Sequence, residues 1–315
     1  MGTDLQDGTA ADAKAGAAGA ALLVEHETQY QYSTQVAFAH HLAYLHPLDA
    51  PGQAVRDFAL DIDPPPAGLS HGRDVFGNRR TYFSLTRPHE TLCVRARCRV
   101  TLEPRFERLD TAQSAGWEAA SRELRFVAGA PFEPASEFCF DSPLVPRGRV
   151  LREYGRASFP AGATVLAGAL DLMHRIHRDF RYDAASTDVG TTVLEAFEAR
   201  AGVCQDFSHV MIACLRSLGL AARYVSGYLH TQARFKDQEP GAQTVIGADA
   251  SHAWVAVYCP RQGWVEFDPT NDAVPGTGHV RLASGRDYAD VAPLRGVVQG
   301  GGDHRLRVAV RIAAA

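Results

Sequence analysis

Arg200-Ala201-Gly202-Val203-Cys204-Gln205-Asp206-Phe207-Ser208-His209 places a cysteine just after a glycine turn, at the head of an apolar segment that runs to about Leu218. Met211, Ile212, Cys214, Leu215 and Leu218 recur at helical spacing, and Gly219 supplies the stop. A thiol at a helix head meets the free N–H groups of the first turn and the positive end of the helix dipole. Both favour the thiolate, the reactive form. Cys204 is therefore a candidate nucleophile, and a nucleophile of this kind needs a base that a third group orients. The candidate base is His252, in Ser251-His252-Ala253-Trp254-Val255, and the candidate orienter is Asp268, in Glu266-Phe267-Asp268-Pro269-Thr270-Asn271. In this reading His252 exchanges a proton with Cys204, while Asp268 fixes the tautomer and steadies the imidazolium.

The register between the last two can be tested on paper. Ala253 to Tyr258 and Trp264 to Phe267 read as a hairpin around Pro260-Arg261-Gln262-Gly263. A two-residue turn at 261 and 262 sets Asp268 opposite Val255, on the wrong face for His252. A three-residue loop at 260 to 262 sets it opposite Trp254, with His252 as its diagonal neighbour. The second arrangement is the one expected.

Composition limits the function classes. The chain has 315 residues, 46% of them apolar, which suits a soluble globular protein of about two domains. A formal charge of −4 and the lack of a long basic run argue against nucleic-acid binding. No apolar run approaches the roughly 18 residues of a membrane span. The Ala/Gly-rich first twenty residues lack the basic start and apolar core of a signal peptide, and Gln6 does not suit myristoylation, so a disordered tail is expected. Six cysteines without a C-x-x-C pair form neither a disulfide framework nor a zinc motif, and reduced thiols in a cytoplasmic protein are expected.

Along the chain the periodicity changes once. Residues 22 to 103 alternate apolar and polar in short runs broken by Asp63-Pro64-Pro65-Pro66 and Phe76-Gly77-Asn78, predicting an antiparallel β-sandwich. His40 and His41 should face opposite sides of a strand, as should Cys93 and Cys98. A crossing segment follows, with a short helix near Trp117 to Arg125. From about Val150 the spacing is helical, first over Ala163 to Phe180, then over a short helix capped near Thr192 with Glu195 completing a capping box. Strands come after the nucleophile helix, ending in Leu306, Val308, Val310 and Ile312, which alternate with arginines. The fold class is α+β. Its divisions are a tail at 1–20, a β-sandwich with crossing segment at 21–140, and a catalytic domain at 141–315, a helix bundle packed on an antiparallel sheet.

The chain resembles the bacterial transglutaminase-like family, which shares the papain-type cysteine protease fold. The residues that carry the likeness are Gly202 to Phe207, Arg223-Tyr224-Val225-Ser226-Gly227-Tyr228, His252-Ala253-Trp254, Glu266 to Asn271 and Gly285-Arg286-Asp287-Tyr288. Asp74-Val75-Phe76-Gly77-Asn78 is the best local match to that family's N-terminal β region. The likeness implies a Cys-His-Asp triad, here Cys204, His252 and Asp268, acting on a peptide or carboxamide carbonyl through a thioester. A peptide or protein would be the substrate, and water or an amine the acceptor. Tyr182 resembles the aromatic residue that precedes the cysteine in relatives and is a candidate for the oxyanion hole. Gln205, Trp254 and Arg286 are further oxyanion or substrate candidates, although the run from Gly285 to Tyr288, with Asp290, reads more readily as a turn held by an Arg–carboxylate pair. Asp206 and Glu266 are read as anchors of the helix start and the hairpin, and His209 as structural. His174 and His177 have metal-compatible spacing without supporting carboxylates, so no metal or other cofactor is expected. The alternative from another class is a non-catalytic peptide-binding module on the same fold.

Overall fold

A computed structural model describes residues 19–106, 109–129, 131–186, 190–230 and 251–315. The expected tail and the polar loop after Thr231 lie largely outside these residues, although Ala20, assigned to the tail, already begins a strand. That strand, β1 (Ala20–Ala43), is long enough to serve two sets of partners. It is followed by β2 (Gln53–Asp63), β3 (Gly68–Arg73), β4 (Arg79–Leu85) and β5 (His89–Leu102). The first half of β1 pairs with β5 from Ala20↔Leu102 to Gln31↔Thr91, and the second half with β4 from Ala39↔Leu85 to Ala43↔Thr81. The register breaks between Gln31 and Val36, where β1 changes partner. Both halves send side chains into one core: Leu92, Val94 and Ala96 from β5 meet Phe83 and Leu85 from β4, with Val36 and Ala39 between them. The β-sandwich is thus one sheet folded on itself. His40 is exposed and His41 buried, and Cys93 is less buried than Cys98, as strand alternation requires.

The crossing segment contains α1 (Trp117–Glu123) and leads to α2 (Arg149–Arg156) and α3 (Val165–Asp179). The Thr164 hydroxyl caps α3 by accepting from the Ala167 N–H. The two-residue strand β6 (Arg181–Tyr182) precedes α4 (Val193–Ala199), whose capping box is formed by Thr192 and Glu195 as the sequence predicts. Next come β7 (Ala201–Gly202), α5 (Cys204–Ser217), β8 (Ala222–Leu229), β9 (His252–Cys259), β10 (Gly263–Phe267), β11 (His279–Gly285) and the short α6 (Tyr288–Val291). The strands form an antiparallel sheet in the order β10-β9-β8-β11. Sequence periodicity assigns α5 one apolar side, but every residue from Asp206 to Arg216 is buried. α2, α3 and α4 cover one side of this helix, and β8 and β9 the other. Arg216 is tolerated there because its guanidinium donates to the carbonyls of Phe138, Ala222 and Arg286 and to the Ser142 hydroxyl.

The end of the chain departs from the expected division. β12 (Leu294–Gly300) and β13 (His304–Ala314) pair with β1, not with the catalytic sheet. β13 runs from Leu22↔Ala314 to Tyr32↔His304, and Val310 packs with Leu22, Val24 and Val100. Residues 294–314 therefore belong to the sandwich, and the assignment of 141–315 to one catalytic domain is corrected. Alternation identifies a strand, but the partner is set by which β1 edge is open.

Polar contacts and a shared core join the two halves. The Gln53 amide donates to Arg281 O and accepts from Arg281 N, both at 2.7 Å. Asn78, the last residue of Asp74-Val75-Phe76-Gly77-Asn78, does the same with Ser284 at 2.7 and 2.8 Å, while Asp74 holds the turn. Tyr228 Oη lies 3.1 Å from His26 Nδ1. Each amide thus continues the ladder along the outer edge of β11. Beside Tyr228, Gly227 has no room for a side chain: a Cβ would stand 2.2 Å from Val280 O and 2.3 Å from the Trp254 ring. Gly227→Ala should cost about 3 kcal/mol or more, because backbone and a buried indole must both move. Chemical denaturation measures it, and an unchanged midpoint would contradict this packing.

Candidate active site

The position of Cys204 follows from three short-range devices. β6 pairs in parallel with β7, setting Tyr182 beside Gly202. The Asp206 carboxylate accepts from the Val203 N–H at 2.8 Å, fixing the first turn of α5. Gly202 lets that carboxylate fold close, since a Cβ there would lie 2.5 Å from Asp206 Oδ2. Cys204 is left half-buried at the first position of a 14-residue helix. Gln205, also half-buried, occupies the next position.

The hairpin takes the three-residue loop. Gly263 pairs with Cys259 and Phe267 with Val255, so the register extends to place Asp268 across from Trp254. His252 and Asp268 are buried, with Nε2 2.8 Å from Oδ2. The Asp268 carboxylate is held by more than the triad requires. Oδ1 accepts from the N–H groups of Thr270 and Asn271, at 3.0 and 3.2 Å. Oδ2 accepts from Asn271 Nδ2 at 2.9 Å and His279 Nε2 at 3.2 Å as well as from His252. Burial alone would raise the Asp268 pKa, but the charges and hydrogen bonds of His252 and His279 hold it well below the usual carboxylate range. Burial would likewise lower that of His252, yet the Asp268 charge and hydrogen bond, with a contribution from Cys204, push it up to about 10.

Asp268 occupies Nε2, so Nδ1 is the edge of the ring left for the thiol. Nδ1 is buried, and Cys204 acts on the same ring through a side-chain hydrogen bond and through its charge. Tyr182, Tyr224 and Tyr288 all lie within electrostatic reach of Cys204. Tyr182 is the exposed one, and Tyr224 lies in the core.

Trp254 is sealed in the core and Arg286 is held by a neighbouring carboxylate. Trp254 is fully buried: its ring stacks on His252 with centroids 6.0 Å apart, and Nε1 donates to Glu266 at 3.1 Å. Glu266 is in turn paired with Arg105 at 2.8 Å, so this series fixes the His252 ring from behind. Arg286 makes a bidentate pair with Asp290, at 2.9 and 3.0 Å, in a cleft shared with Phe76 and Arg295. That cleft is lined by none of the triad residues. A strand period shows that Trp254 and His252 share a face, but not that the face is sealed. His209 accepts from the Tyr288 N–H at 3.2 Å, and burial pushes its pKa down to about 4. His174 bonds Asp272, and His177 Nδ1 lies 3.0 Å from Thr270 O, so both brace the Asp268 turn from α3. Among the described residues no group of three or more His, Cys, Asp or Glu is arranged to hold a metal.

Sequence reasoning missed His279 and gave Asn271 no role of its own. The available signal for His279 was weak: a histidine opening a strand after a glycine-rich segment, as His252 opens its own.

Residues 22–101 match the family model described as the bacterial transglutaminase-like N-terminal region, and residues 159–269 match the transglutaminase-like superfamily. An uncharacterized protein of Mycobacterium tuberculosis is 41% identical over 281 residues, covering 87% of this chain and 86% of that protein. The chain belongs to the bacterial transglutaminase-like family. An uncharacterized Mycobacterium leprae protein is 31% identical over 293 residues, covering 92% of this chain and 97% of the relative. A protein-glutamine gamma-glutamyltransferase of Pseudomonas aeruginosa is 28% identical over 156 residues, 47% of this chain and 22% of its own length. The family fold is also seen in the crystal structure of a candidate cysteine protease from Cytophaga hutchinsonii, with a TM-score of 0.71 at 22% identity, covering 95% of this chain and 91% of that one. That likeness spans the sandwich and the catalytic region together. No helix among the described residues is long and apolar enough to cross a membrane.

Proposed function

We propose that the chain is a cysteine-dependent acyltransferase or hydrolase acting at carboxamide or peptide bonds through Cys204, His252 and Asp268. The observation that carries this reading is the buried His252–Asp268 pair, 2.8 Å apart, whose imidazole also interacts by hydrogen bond and charge with a cysteine at a helix head. Cys204 Sγ attacks the carbonyl carbon, and the charge that develops on oxygen falls near the Cys204 backbone N–H. Tyr182, paired beside Gly202, would border the same oxygen. The C–N bond breaks as His252 donates its proton to the departing nitrogen, leaving a thioester on Cys204. Water or an amine then attacks the thioester and gives its proton to His252, and the C–S bond breaks to restore the starting pair. Asp268 keeps its charge throughout and holds the ring.

The partial likeness to a protein-glutamine gamma-glutamyltransferase makes glutamine side chains the first donors to test. The protein should be incubated with glutamine-containing peptides, with and without a primary amine, and the products weighed by mass spectrometry. Amine incorporation, the small mass gain of deamidation, and cleavage are separable outcomes. Any of them that depends on Cys204 supports the proposal. Their absence, with Cys204 also inert to thiol reagents, would favour a peptide-binding module.

A further inference from the structure

His279 is buried, lies outside the Cys-His-Asp set, and still reaches its carboxylate. Asp268 Oδ2 is shared by three side-chain donors: His252 at 2.8 Å, Asn271 at 2.9 Å and His279 at 3.2 Å. Oδ1 is already occupied by two backbone N–H groups, so the carboxylate cannot turn to separate the claims. The His279 ring also meets Trp254 edge-on at 5.3 Å, and Trp254 is the ring that stacks on His252. We propose that His279 is a positioning residue: by donating to the oxygen that holds His252, it limits the grip of Asp268 on the His252 imidazolium and so regulates that histidine's basicity. This inference rests on the triad reading above and extends it to a fourth side chain.

The physical basis is competition for one acceptor. A hydrogen bond to an ionised carboxylate stabilises its charge and lowers its affinity for every other proton donor. With His279 removed, Oδ2 is left to His252 and Asn271, and the charge bears more fully on the imidazolium. The sign is therefore fixed: without His279, His252 becomes a stronger base. The other titratable and charged groups around His279 are His252 on β9, Cys204 on α5, His230 just past β8, and the Glu266–Arg281–Arg105 network behind Trp254. None of them donates to Asp268 apart from His252. A histidine that merely filled space between β8 and Trp254 would not move the His252 titration in a direction set by hydrogen-bond donation.

The test is an NMR titration of the His252 ring in a Cys204→Ala background, which removes the thiol's influence. His279→Leu, or His279→Met should the leucine variant fail to fold, is expected to raise the His252 midpoint by about half a unit. His279→Gln, which retains an N–H donor, should bring it most of the way back. A folded apolar variant with an unshifted His252 midpoint would overturn the proposal, as would a glutamine variant indistinguishable from leucine. The readout needs no turnover. If the wild-type thiol proves inert, the triad reading fails while the His279–His252 coupling is still measured.

Discussion

Replacing Cys204 with alanine should remove nearly all rapid labelling of the protein by iodoacetamide at neutral pH, although five other cysteines remain. Those five are poor competitors for a physical reason. Burial pushes the thiols of Cys98 and Cys214 up to about 12 and that of Cys139 up to about 11. At neutral pH their thiolate fractions are on the order of 10⁻⁴ or less. Cys259 is also buried and raised, and Cys93 is raised by desolvation and by the Glu27 charge. Labelling should therefore fall by roughly two orders of magnitude or more, with Cys93 as the residual site. Peptide mapping after a short exposure checks it. Equal labelling of Cys204 and Cys93 in the unaltered protein would sink the assignment of the nucleophile.

Asp268→Asn should reduce thioester formation by roughly 10³- to 10⁴-fold, the scale seen when a triad carboxylate is neutralised. It should also cost about 3 kcal/mol or more, since a buried imidazolium loses its counter-charge. The pH dependence follows from the sign of each shift. Asp268 is held below the usual carboxylate range, so its contribution is present above the unfolded carboxylate pKa and disappears as pH falls through the folded value. His252 is raised from 6.5 to about 10, so its contribution is full below 6.5 and is lost progressively as pH rises to about 10. These are two views of one ion pair and count once. Denaturation of the unaltered protein should thus show stability declining through that alkaline window, and the decline should be largely absent in Asp268→Asn. A parallel decline in both proteins would mean that another group is responsible.

Local signals were legible in the sequence because they depend on few residues. The Thr192–Glu195 box, the glycine before Cys204 and the hairpin register each follow from a spacing of a few positions. The register went further than expected, since the choice between two- and three-residue loops decided whether Asp268 and His252 could meet. Contacts fixed by distant segments were not legible. Trp254 alternates with His252 as a substrate-facing residue would, and only the Glu266–Arg105 pair behind it shows why it is sealed in. Arg286, by contrast, has Asp290 four residues on, and a turn held by such a local Arg–carboxylate pair is the reading its sequence favours. His279 reaches Asp268 across a sheet whose order places β11 beside β8, and the spacing of neither residue encodes that order.

The pairing of β1 with β12 and β13 has a consequence for how the molecule is made. β1 precedes the candidate site in the chain and the strands that cover its second edge follow it, with Leu22 awaiting Ala314. Every residue of the candidate site lies between them. The sandwich can acquire its β5 edge early but can close only behind a finished catalytic half, an ordering with a high loop-closure cost and correspondingly slow final docking. Cutting the chain at the boundary between its two family matches would remove neither half cleanly. It would strip β1 of one neighbour and leave β13 attached to a region with no edge to receive it. The scaffold is thus closed by strands that follow the site in the chain, so a protein stalled or clipped before Leu294 carries the whole constellation without the strands that close its frame.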